Sequence, residues 1–306
     1  MGAYQAVMDI GTNTCRLIVA ERTDGGDTTH LRQLRVTRIG EGLGRGNLHI
    51  SRAAMDRTLA ALTEYKAMIA GYPVEKTTLF GTQALREADN AAAFAVEVKD
   101  RTGFDLEIIS GDREAYLSYT GAVSGLKGLG LSSPLVLDIG GGSTELFWEE
   151  ARPGGEGRAT LKGASAPIGA LRLMEAPMDG AGIFDALGQG WGSITPPAGG
   201  GAADGGRPLV AVGGTATTLG AIHLMMKEYD PEALLGLKIS KAQVEAVVEM
   251  VDNMTAAERL RLPGMTPGRE DVLPWGLRIL LASMDYCECG SVRICDRDLL
   301  YGVFYD

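Results

Sequence analysis

The chain has 306 residues, of which 45% are hydrophobic and 22% charged, and its formal net charge is −10. This length suits two domains of ordinary size better than one small module. The acidic balance argues against a general binder of nucleic acid or of an anionic membrane surface, so we expect neither as a partner. An acidic net charge is still compatible with a local pocket of basic residues.

The first residues lead straight into a strand-like run, without a basic segment followed by an apolar one, and no run reaches the ~20 apolar residues of a membrane span. We therefore expect a cytoplasmic protein. The four cysteines, Cys15, Cys287, Cys289 and Cys295, fit a reducing compartment better than a disulfide scaffold. The segment "CECGSVRIC" has no paired CxxC and no nearby fourth ligand, so buried thiols are favoured over a metal site.

Strand-like and helix-like segments alternate along the first half of the chain, which is typical of an α/β fold. A helix is predicted to start at Ser51, a suitable N-cap, and to stop near Gly71 and Pro73. The other predicted segments are strands at 4–10, 15–21 and 31–39, a strand at 77–81, a helix at 90–103, a strand at 106–110 and a helix at 113–126. We place the first domain at residues 1–127.

The second predicted domain, residues 128–306, begins with a continuous apolar run at 134–139 that suits a fully buried strand. Residues 176–207 are rich in Gly, Ala and Pro without periodicity, which predicts a flexible surface loop. The later predicted segments are a strand at 207–214, helices at 215–229, 240–251 and 270–287, a strand at 291–295 and a short helix at 298–305.

An internal repeat links the two halves. The segments "MDIGTNTCRLIV" (residues 8–19) and "LDIGGGSTELFW" (residues 137–148) share an apolar residue, Asp-Ile-Gly, a small polar turn and an apolar strand. Asp9 aligns with Asp138. Because an internal repeat indicates a duplicated structural unit, two copies of one β-hairpin predict two related domains whose turns bind the same ligand.

Three turns are rich in Gly, Ser and Thr, so their backbone N–H groups are unshielded and can converge on a phosphate. The third turn, "GGTATT", also opens a helix, whose N-terminus favours anions. One such turn is more simply explained as a tight hairpin, but three turns, two of them repeats, favour phosphate binding. The predicted phosphate-binding residues in these turns are Gly11, Thr12, Asn13, Thr14, Gly140, Gly141, Gly142, Ser143, Thr144, Gly213, Gly214 and Thr215.

Three carboxylates stand beside these turns. Asp9 and Asp138 end their strands, and Glu145 follows the second turn. They are predicted to hold Mg²⁺, or another divalent cation, where it bridges phosphate oxygens. The alternative for Asp9 and Asp138 is a carboxylate that caps its own turn, and for Glu145 an exposed position on an alternating strand.

Nine segments resemble, in the same order, the exopolyphosphatase and guanosine pentaphosphate phosphatase family of the actin-like, sugar-kinase and heat-shock ATPase superfamily. They are "DIGTNTCRLIVAE", "TRIGEGL", "GTQALREADN", "EIISGDREA", "LVLDIGGGSTEL", "PIGALRL", "VAVGGTATTL", "GREDVLPWG" and "DRDLLYG". The resemblance implies an α/β protein of two ribonuclease-H-like domains, each a mixed sheet flanked by helices, with the active site in the cleft between them. It also implies a homodimer that removes the terminal phosphate from inorganic polyphosphate or guanosine pentaphosphate by Mg²⁺-assisted attack of water.

Two site residues come from this resemblance. The family's catalytic glutamate matches Glu114 of "SGDREA", which is therefore the expected general base. Arg86 matches a family arginine directed at the phosphate chain, a bidentate task that suits a guanidinium. Its alternative is a surface salt bridge with Glu87 or Asp89. The first acid of the family motif is Arg113 here, a departure expected to alter the charge around Glu114.

Two further departures concern length. The Gly-rich segment 176–207 stands where relatives carry helical sequence, and longer members add helical C-terminal domains beyond the position of Asp306. A shorter channel for a polyanion is the expected consequence. Candidates for an arginine path along that channel are Arg16, Arg38, Arg45 and Arg269.

Two other functions share these features. An actin-like or sugar-kinase-type ATPase would have the same fold and turns, but a kinase needs an acid presented to an acceptor hydroxyl. A non-hydrolytic sensor of polyphosphate or of a phosphorylated alarmone would bind the ligand and turn nothing over. An intact Glu114 favours the hydrolase over the sensor. Because Arg113 replaces the first acid of the family motif, the sensor remains an alternative hypothesis.

Overall fold

The computed structural model describes residues 3–23, 26–44, 46–131, 133–150, 160–192 and 207–306. The chain forms two compact units, Met1–Glu114 together with Asp306, and Ala115–Tyr305. The boundary at residue 127 expected from the sequence falls within the second unit.

The first unit contains a mixed sheet with helices packed on it. Its described strands are β1 (Ala3–Ile10), β2 (Thr14–Thr23), β3 (Gly26–Val36), β4 (Val74–Gly81) and β5 (Leu106–Ile108). Its described helices are α1 (Arg52–Ile69), α2 (Gln83–Glu87), α3 (Ala91–Thr102) and the first turn of α4 (Gly111–Gly125). The strand order is β3-β2-β1-β4-β5, with β1 to β3 antiparallel and β4 and β5 parallel to β1.

Helix α1 shows how the sequence builds this unit. The Ser51 hydroxyl accepts a hydrogen bond from the Ala54 N–H, so the predicted N-cap is confirmed. The apolar side chains at helical spacing, including Leu59 and Leu62, are buried in the core on one face of the sheet. The Tyr65 hydroxyl donates to the carbonyl of Cys15 at 2.7 Å, which ties the helix to β2.

The second unit repeats this arrangement. Its described strands are β6 (Leu135–Ile139), β7 (Thr144–Glu150), β8 (Thr160–Ala166), β9 (Leu209–Val212), β10 (Lys238–Ser240) and β11 (Ser291–Ile294). After α4, its described helices are α5 (Ala170–Glu175), α6 (Gly180–Trp191), α7 (Gly213–His223), α8 (Pro231–Leu234), α9 (Lys241–Asp252), α10 (Ala256–Arg259), α11 (Leu273–Tyr286), α12 (Leu299–Gly302) and a 3₁₀ turn at Val303–Tyr305. The strand order β8-β7-β6-β9-β11 matches that of the first unit, and β10 adds one antiparallel strand.

Both units therefore have the mixed sheet flanked by helices that the sequence predicts, and the fold class is confirmed. All four cysteines are buried thiols, as expected. Among the described residues, none of the helices combines the length and the apolar character that a bilayer crossing requires.

The prediction of a flexible loop over residues 176–207 is wrong for residues 180–191, which form α6. The Asp179 side chain accepts from the Gly182 N–H at 2.8 Å and caps the helix. Ile183, Leu187 and Trp191, spaced by four residues, are buried on one side. The Gly content hid this periodicity because glycine disfavours helices in isolation, whereas tertiary burial of an apolar stripe stabilises one. The rest of the prediction, at 193–206, lies outside the described residues.

Other boundaries also differ from the sequence predictions; for example, the strand predicted at 207–214 ends at Val212, and helix α7 begins at Gly213. Strand β3 covers Gly26–Val36 rather than residues 31–39, because residues 37 and 38 turn back onto the first hairpin. Helix α7 ends at His223 rather than near residue 229, because Met225 adopts a left-handed backbone with φ of 51°.

The cap of α6 provides a stability test. We expect Asp179→Ala to lower the free energy of unfolding by about 1 kcal/mol, because the Gly182 N–H loses its acceptor. Asp185→Ala removes the same charge from an exposed position inside the same helix and should change stability by less than about 0.5 kcal/mol. Urea unfolding of both variants measures the difference, and equal effects would contradict the cap.

Candidate functional site

The two repeated hairpin turns have the same backbone hydrogen bond. The Gly11 N–H donates to the Thr14 carbonyl at 2.9 Å, and the Gly140 N–H donates to the Ser143 carbonyl at 2.9 Å. The repeat read from the sequence is therefore a repeat of structure. Because each of these two N–H groups already has an acceptor, phosphate binding by these turns has to rest on their other residues.

Each turn is supported by a second segment of its own unit. In the first unit, the Asn13 carbonyl accepts from the Thr37 and Arg38 N–H groups, and the Thr12 carbonyl accepts from Gly40. A Cβ at Gly40 would stand 2.3 Å from Thr12 Cγ2, so only glycine allows this close approach. The "TRIGEGL" segment thus fixes the shape of the first turn.

In the second unit, the "PIGALRL" segment has the corresponding position. The Gly141 carbonyl accepts from the Leu171 and Arg172 N–H groups at 2.9 and 3.1 Å. The Thr144 hydroxyl donates to the Ile168 carbonyl at 2.6 Å. A Cβ at Gly169 would stand 2.5 Å from Gly141 C, so the turn and this segment are in close contact.

The aspartates that precede the two turns face different partners. Asp9 lies directly opposite Arg16 in the β1–β2 ladder. Arg16 donates to it from Nε at 2.9 Å and from Nη2 at 2.6 Å, and the Asp9 carboxylate is buried. This bidentate ion pair balances the charge of Asp9.

Asp138 lies directly opposite Glu145 in the β6–β7 ladder, at the position that Arg16 has in the first unit. Directly opposite residues of an antiparallel pair project from the same face, and two like charges there repel each other. The Ser165 hydroxyl donates to Glu145 Oε1 at 2.7 Å, and Ser118 Oγ lies 3.4 Å from Asp138 Oδ2. A divalent cation would relieve this repulsion, so the two acids fit the expected metal.

Two carboxylates suffice for Mg²⁺, which usually keeps several waters and takes further oxygens from a bound phosphate. Within the described ranges, no group of three or more His, Cys, Asp or Glu side chains is arranged to hold a metal ion. Asp138 and Glu145 are the two acids of the predicted metal set that lie directly opposite each other.

The third glycine turn lies beside the same acid. Gly213 follows β9, which runs parallel to β6 and pairs Val212 with Asp138. Gly213 has a φ of 76°, and a Cβ there would stand 2.8 Å from Asp138 Oδ1. The Arg269 guanidinium lies directly over Gly214, since a Cβ at that position would overlap it. The second and third turns thus converge at the carboxyl ends of β6 and β9.

In the first unit, Arg86 and Glu114 contact each other. Arg86 is on the short helix after β4, and Glu114 is in the first turn of the helix after β5. Arg86 Nη1 donates to Glu114 Oε2 at 2.6 Å and to the Ile109 carbonyl at 3.0 Å. Sequence reasoning named both residues but paired Arg86 with Glu87 or Asp89 as its alternative partners; it did not foresee the contact with Glu114.

The surroundings of Glu114 change the pKa of its carboxyl group. Burial raises the pKa of the Glu114 carboxyl, the charge and hydrogen bond of Arg86 lower it, Asp9 raises it and Arg16 lowers it. The net direction is a pKa above the ordinary glutamate value, because desolvation of the carboxylate outweighs the nearby arginine. A raised pKa suits a group that accepts a proton near neutral pH.

Arg113, the departure from the family motif, has a partner of its own. Its guanidinium makes a bidentate contact with the Asp306 carboxylate, with Nη1 to Oδ1 at 2.7 Å. Asp306 therefore provides an opposite charge for the Arg113 guanidinium. Of the other arginines expected along a polyanion path, Arg45 lies outside the described residues.

Sequence reasoning missed that the two repeats place different side chains opposite their aspartates. It treated Asp9 and Asp138 alike and assigned Arg16 only to a polyanion path. The alignment of the two repeat segments already contains this difference. Arg16 and Glu145 occupy equivalent positions in it, each seven residues after its aspartate. The repeat therefore carries an arginine opposite the aspartate in one copy and a glutamate opposite it in the other.

Comparison with known proteins gives one family. The sequence profile of the Ppx/GppA phosphatase family matches residues 18–306. Exopolyphosphatase 2 of Mycobacterium tuberculosis is 30% identical, and the match covers 97% of this chain and 96% of that protein. A solved Aquifex aeolicus PPX-GPPA enzyme superimposes with a TM-score of 0.76 at 27% identity, covering 99% of this chain and 98% of that one.

Other relatives are longer than this chain. The bifunctional 3-dehydroquinate synthase/phosphatase of Fusobacterium nucleatum is 28% identical over 99% of this chain, which spans 46% of its length. The guanosine-5'-triphosphate,3'-diphosphate pyrophosphatase of Vibrio atlanticus is 28% identical over 98% of this chain, which spans 58% of its length. The chain thus matches some relatives almost end to end and about half of others.

Proposed function

Because this chain belongs to the Ppx/GppA phosphatase family, we propose that it is a phosphohydrolase that removes the terminal phosphate from inorganic polyphosphate or guanosine pentaphosphate. The observation that carries the proposal is the hydrogen-bonded pair of Arg86 and Glu114, in which a carboxyl with a raised pKa contacts a guanidinium. The names of the Mycobacterium and Vibrio relatives support the two substrates.

Glu114 is the proposed general base. Its ionised carboxylate would align a water molecule for in-line attack on the terminal phosphorus and accept the proton that the water loses. Arg86 would bind an oxygen of that phosphate. Since Arg86 Nη1 donates to Glu114, a bound phosphate would compete for the guanidinium and leave the carboxylate a better proton acceptor.

Asp138 and Glu145 are the proposed ligands of Mg²⁺ or another divalent cation. The ion would neutralise charge on the phosphate oxygens, which is most of what the transition state of phosphoryl transfer requires. The carboxylates would hold it at the carboxyl end of β6, and the turns at Ser143 and Gly213 would bring backbone amides to the same edge of the sheet.

Phosphate release tests the proposal. Purified protein with Mg²⁺ is offered long-chain polyphosphate, guanosine pentaphosphate and ATP, with the Glu114→Gln variant alongside. Release from polyphosphate or guanosine pentaphosphate that the variant abolishes supports the hydrolase and identifies its substrate. Turnover of ATP alone favours the actin-like ATPase, and tight binding without release favours the sensor.

Gly213 provides a test of the third turn. We expect Gly213→Ala to lower phosphate release about tenfold or more, because the new Cβ would displace the Asp138 carboxylate. Gly103→Ala is the matched control, since Gly103 has a φ of 78° and open space where the Cβ would stand. Both variants should lose about 1–2 kcal/mol of stability through backbone strain. Equal activity of the two variants would contradict a role for Gly213 at Asp138.

The proposal also includes the oligomeric state and the location of the protein, which we expect to be a homodimer in the cytoplasm. Sedimentation velocity at several protein concentrations measures the oligomeric state, and fractionation of the source cells measures the location. A monomer at micromolar concentration would contradict the dimer without affecting the proposed chemistry.

A further inference from the structure

The Arg113 and Asp306 pair is adjacent to Glu114 in the first turn of α4. Arg113 Nη1 donates to Asp306 Oδ1 at 2.7 Å and Nη2 contacts Oδ2, so both ends of the carboxylate are held. Asp306 follows the 3₁₀ turn Val303–Tyr305, in which Phe304 is buried. Two parallel contacts of this kind fix the orientation of the guanidinium against the carboxylate.

Hydrogen bonds to Ser110 hold the first turn of α4. The amides at a helix start lack carbonyls one turn earlier in the helix. Here the Glu114 N–H donates to the Ser110 carbonyl at 3.0 Å, and the Arg113 N–H lies 3.2 Å from the Ser110 hydroxyl. The bidentate contact of Arg113 with Asp306 adds a further restraint on the residue directly before Glu114.

We infer that Arg113 and Asp306 form a positioning pair that holds the first turn of α4 and so keeps the Glu114 carboxylate on Arg86. The inference rests on the proposed role of Glu114 as general base. Arg113 and Asp306 act as a matched set, because an acid at position 113, as in the family motif, would repel Asp306. Arg113 also lowers the pKa of Asp306, so the carboxylate is ionised at neutral pH and the pair persists under assay conditions.

Charge reversal tests this pair. Arg113→Glu and Asp306→Arg each break it, and the double variant restores opposite charges in swapped positions. We expect each single variant to lower kcat about three- to tenfold with KM changed less than twofold, because an exposed ion pair contributes modestly and substrate binding is not touched. The double variant should recover at least half of the lost kcat. Exchange of the Glu114 amide should be faster in both single variants and return toward wild type in the double variant.

The matched control is Arg52→Glu, which breaks a bidentate arginine–carboxylate contact with Glu97 elsewhere in the first unit. Its kcat should equal that of wild type. Single variants with wild-type kcat and wild-type exchange at Glu114 would overturn the inference. So would a double variant that stays impaired although its thermal unfolding is normal. If wild type releases no phosphate from any substrate, the proposed function fails, and the exchange of the Glu114 amide decides the positioning role alone.

Discussion

Glu114→Gln is expected to lower kcat by about 10² to 10⁴ and to leave substrate binding nearly unchanged, because the amide is isosteric but does not accept a proton as the carboxylate does. Single-turnover phosphate release measures the chemical step, and equilibrium binding of the substrate measures affinity. The amide still offers an oxygen to Arg86, so the geometry of the pair in this variant is retained.

Glu107→Gln is the control for this result. Glu107 is an exposed glutamate on β5, the strand that leads into the turn before Glu114, so the variant makes the same chemical change outside the site. Its kcat should equal that of wild type. A Glu114→Gln enzyme that turns over at a near-normal rate would remove Glu114 from the mechanism.

The pH profile gives a second measure of Glu114. The base form is the ionised carboxylate, and burial raises its pKa, so kcat should fall with decreasing pH at a higher pH than an ordinary glutamate would give. Arg86 lowers this pKa. In the residual activity of Arg86→Gln the acidic limb should therefore move to higher pH, and a shift to lower pH would contradict the assigned contact.

Asp138→Asn is expected to lower phosphate release by about 10² to 10³ at a fixed Mg²⁺ concentration, because the proposed metal site would lose a charged ligand. The Mg²⁺ concentration for half-maximal activity should rise by about tenfold or more. A titration of activity against Mg²⁺ separates the two effects. Wild-type Mg²⁺ dependence in this variant would contradict the metal role of Asp138.

Asp9→Asn is the informative comparison, because Asp9 and Asp138 are equivalent residues of the repeat. Asp9 forms a bidentate ion pair with Arg16, whereas Asp138 faces Glu145. Loss of the Asp9 charge should therefore change the Mg²⁺ requirement much less than loss of the Asp138 charge. An equal shift in both variants would place Asp9 in the metal site, as the sequence alone predicts.

Much of this protein follows from its sequence. Alternating strand and helix patterns give the fold class, because each pattern reports which side chains face the core. The Asp-Ile-Gly repeat gives the duplicated hairpins, because a short turn restricts the residues that it accepts. The cap at Ser51 and the buried apolar run at Leu135–Ile139 are likewise local properties of the chain.

Other features depended on contacts between distant segments. Helix α6 is hidden in a Gly-rich stretch, and the burial of Ile183, Leu187 and Trp191 stabilises it. Helix α7 ends six residues earlier than its apolar pattern predicts, because the backbone at Met225 turns left-handed. Local propensity carries little information on either point, since tertiary packing decides them.

The sequence by itself determined which chemical groups this protein has: a glutamate and an arginine in family motifs, three glycine turns and the acids beside them. Only the tertiary structure decided which of these groups meet. It paired Arg86 with Glu114 across 28 residues and Arg113 with Asp306 across 193. The physical reason is that charge–charge contacts depend on distance in space, and spacing along the chain fixes that distance only within one helix or one hairpin.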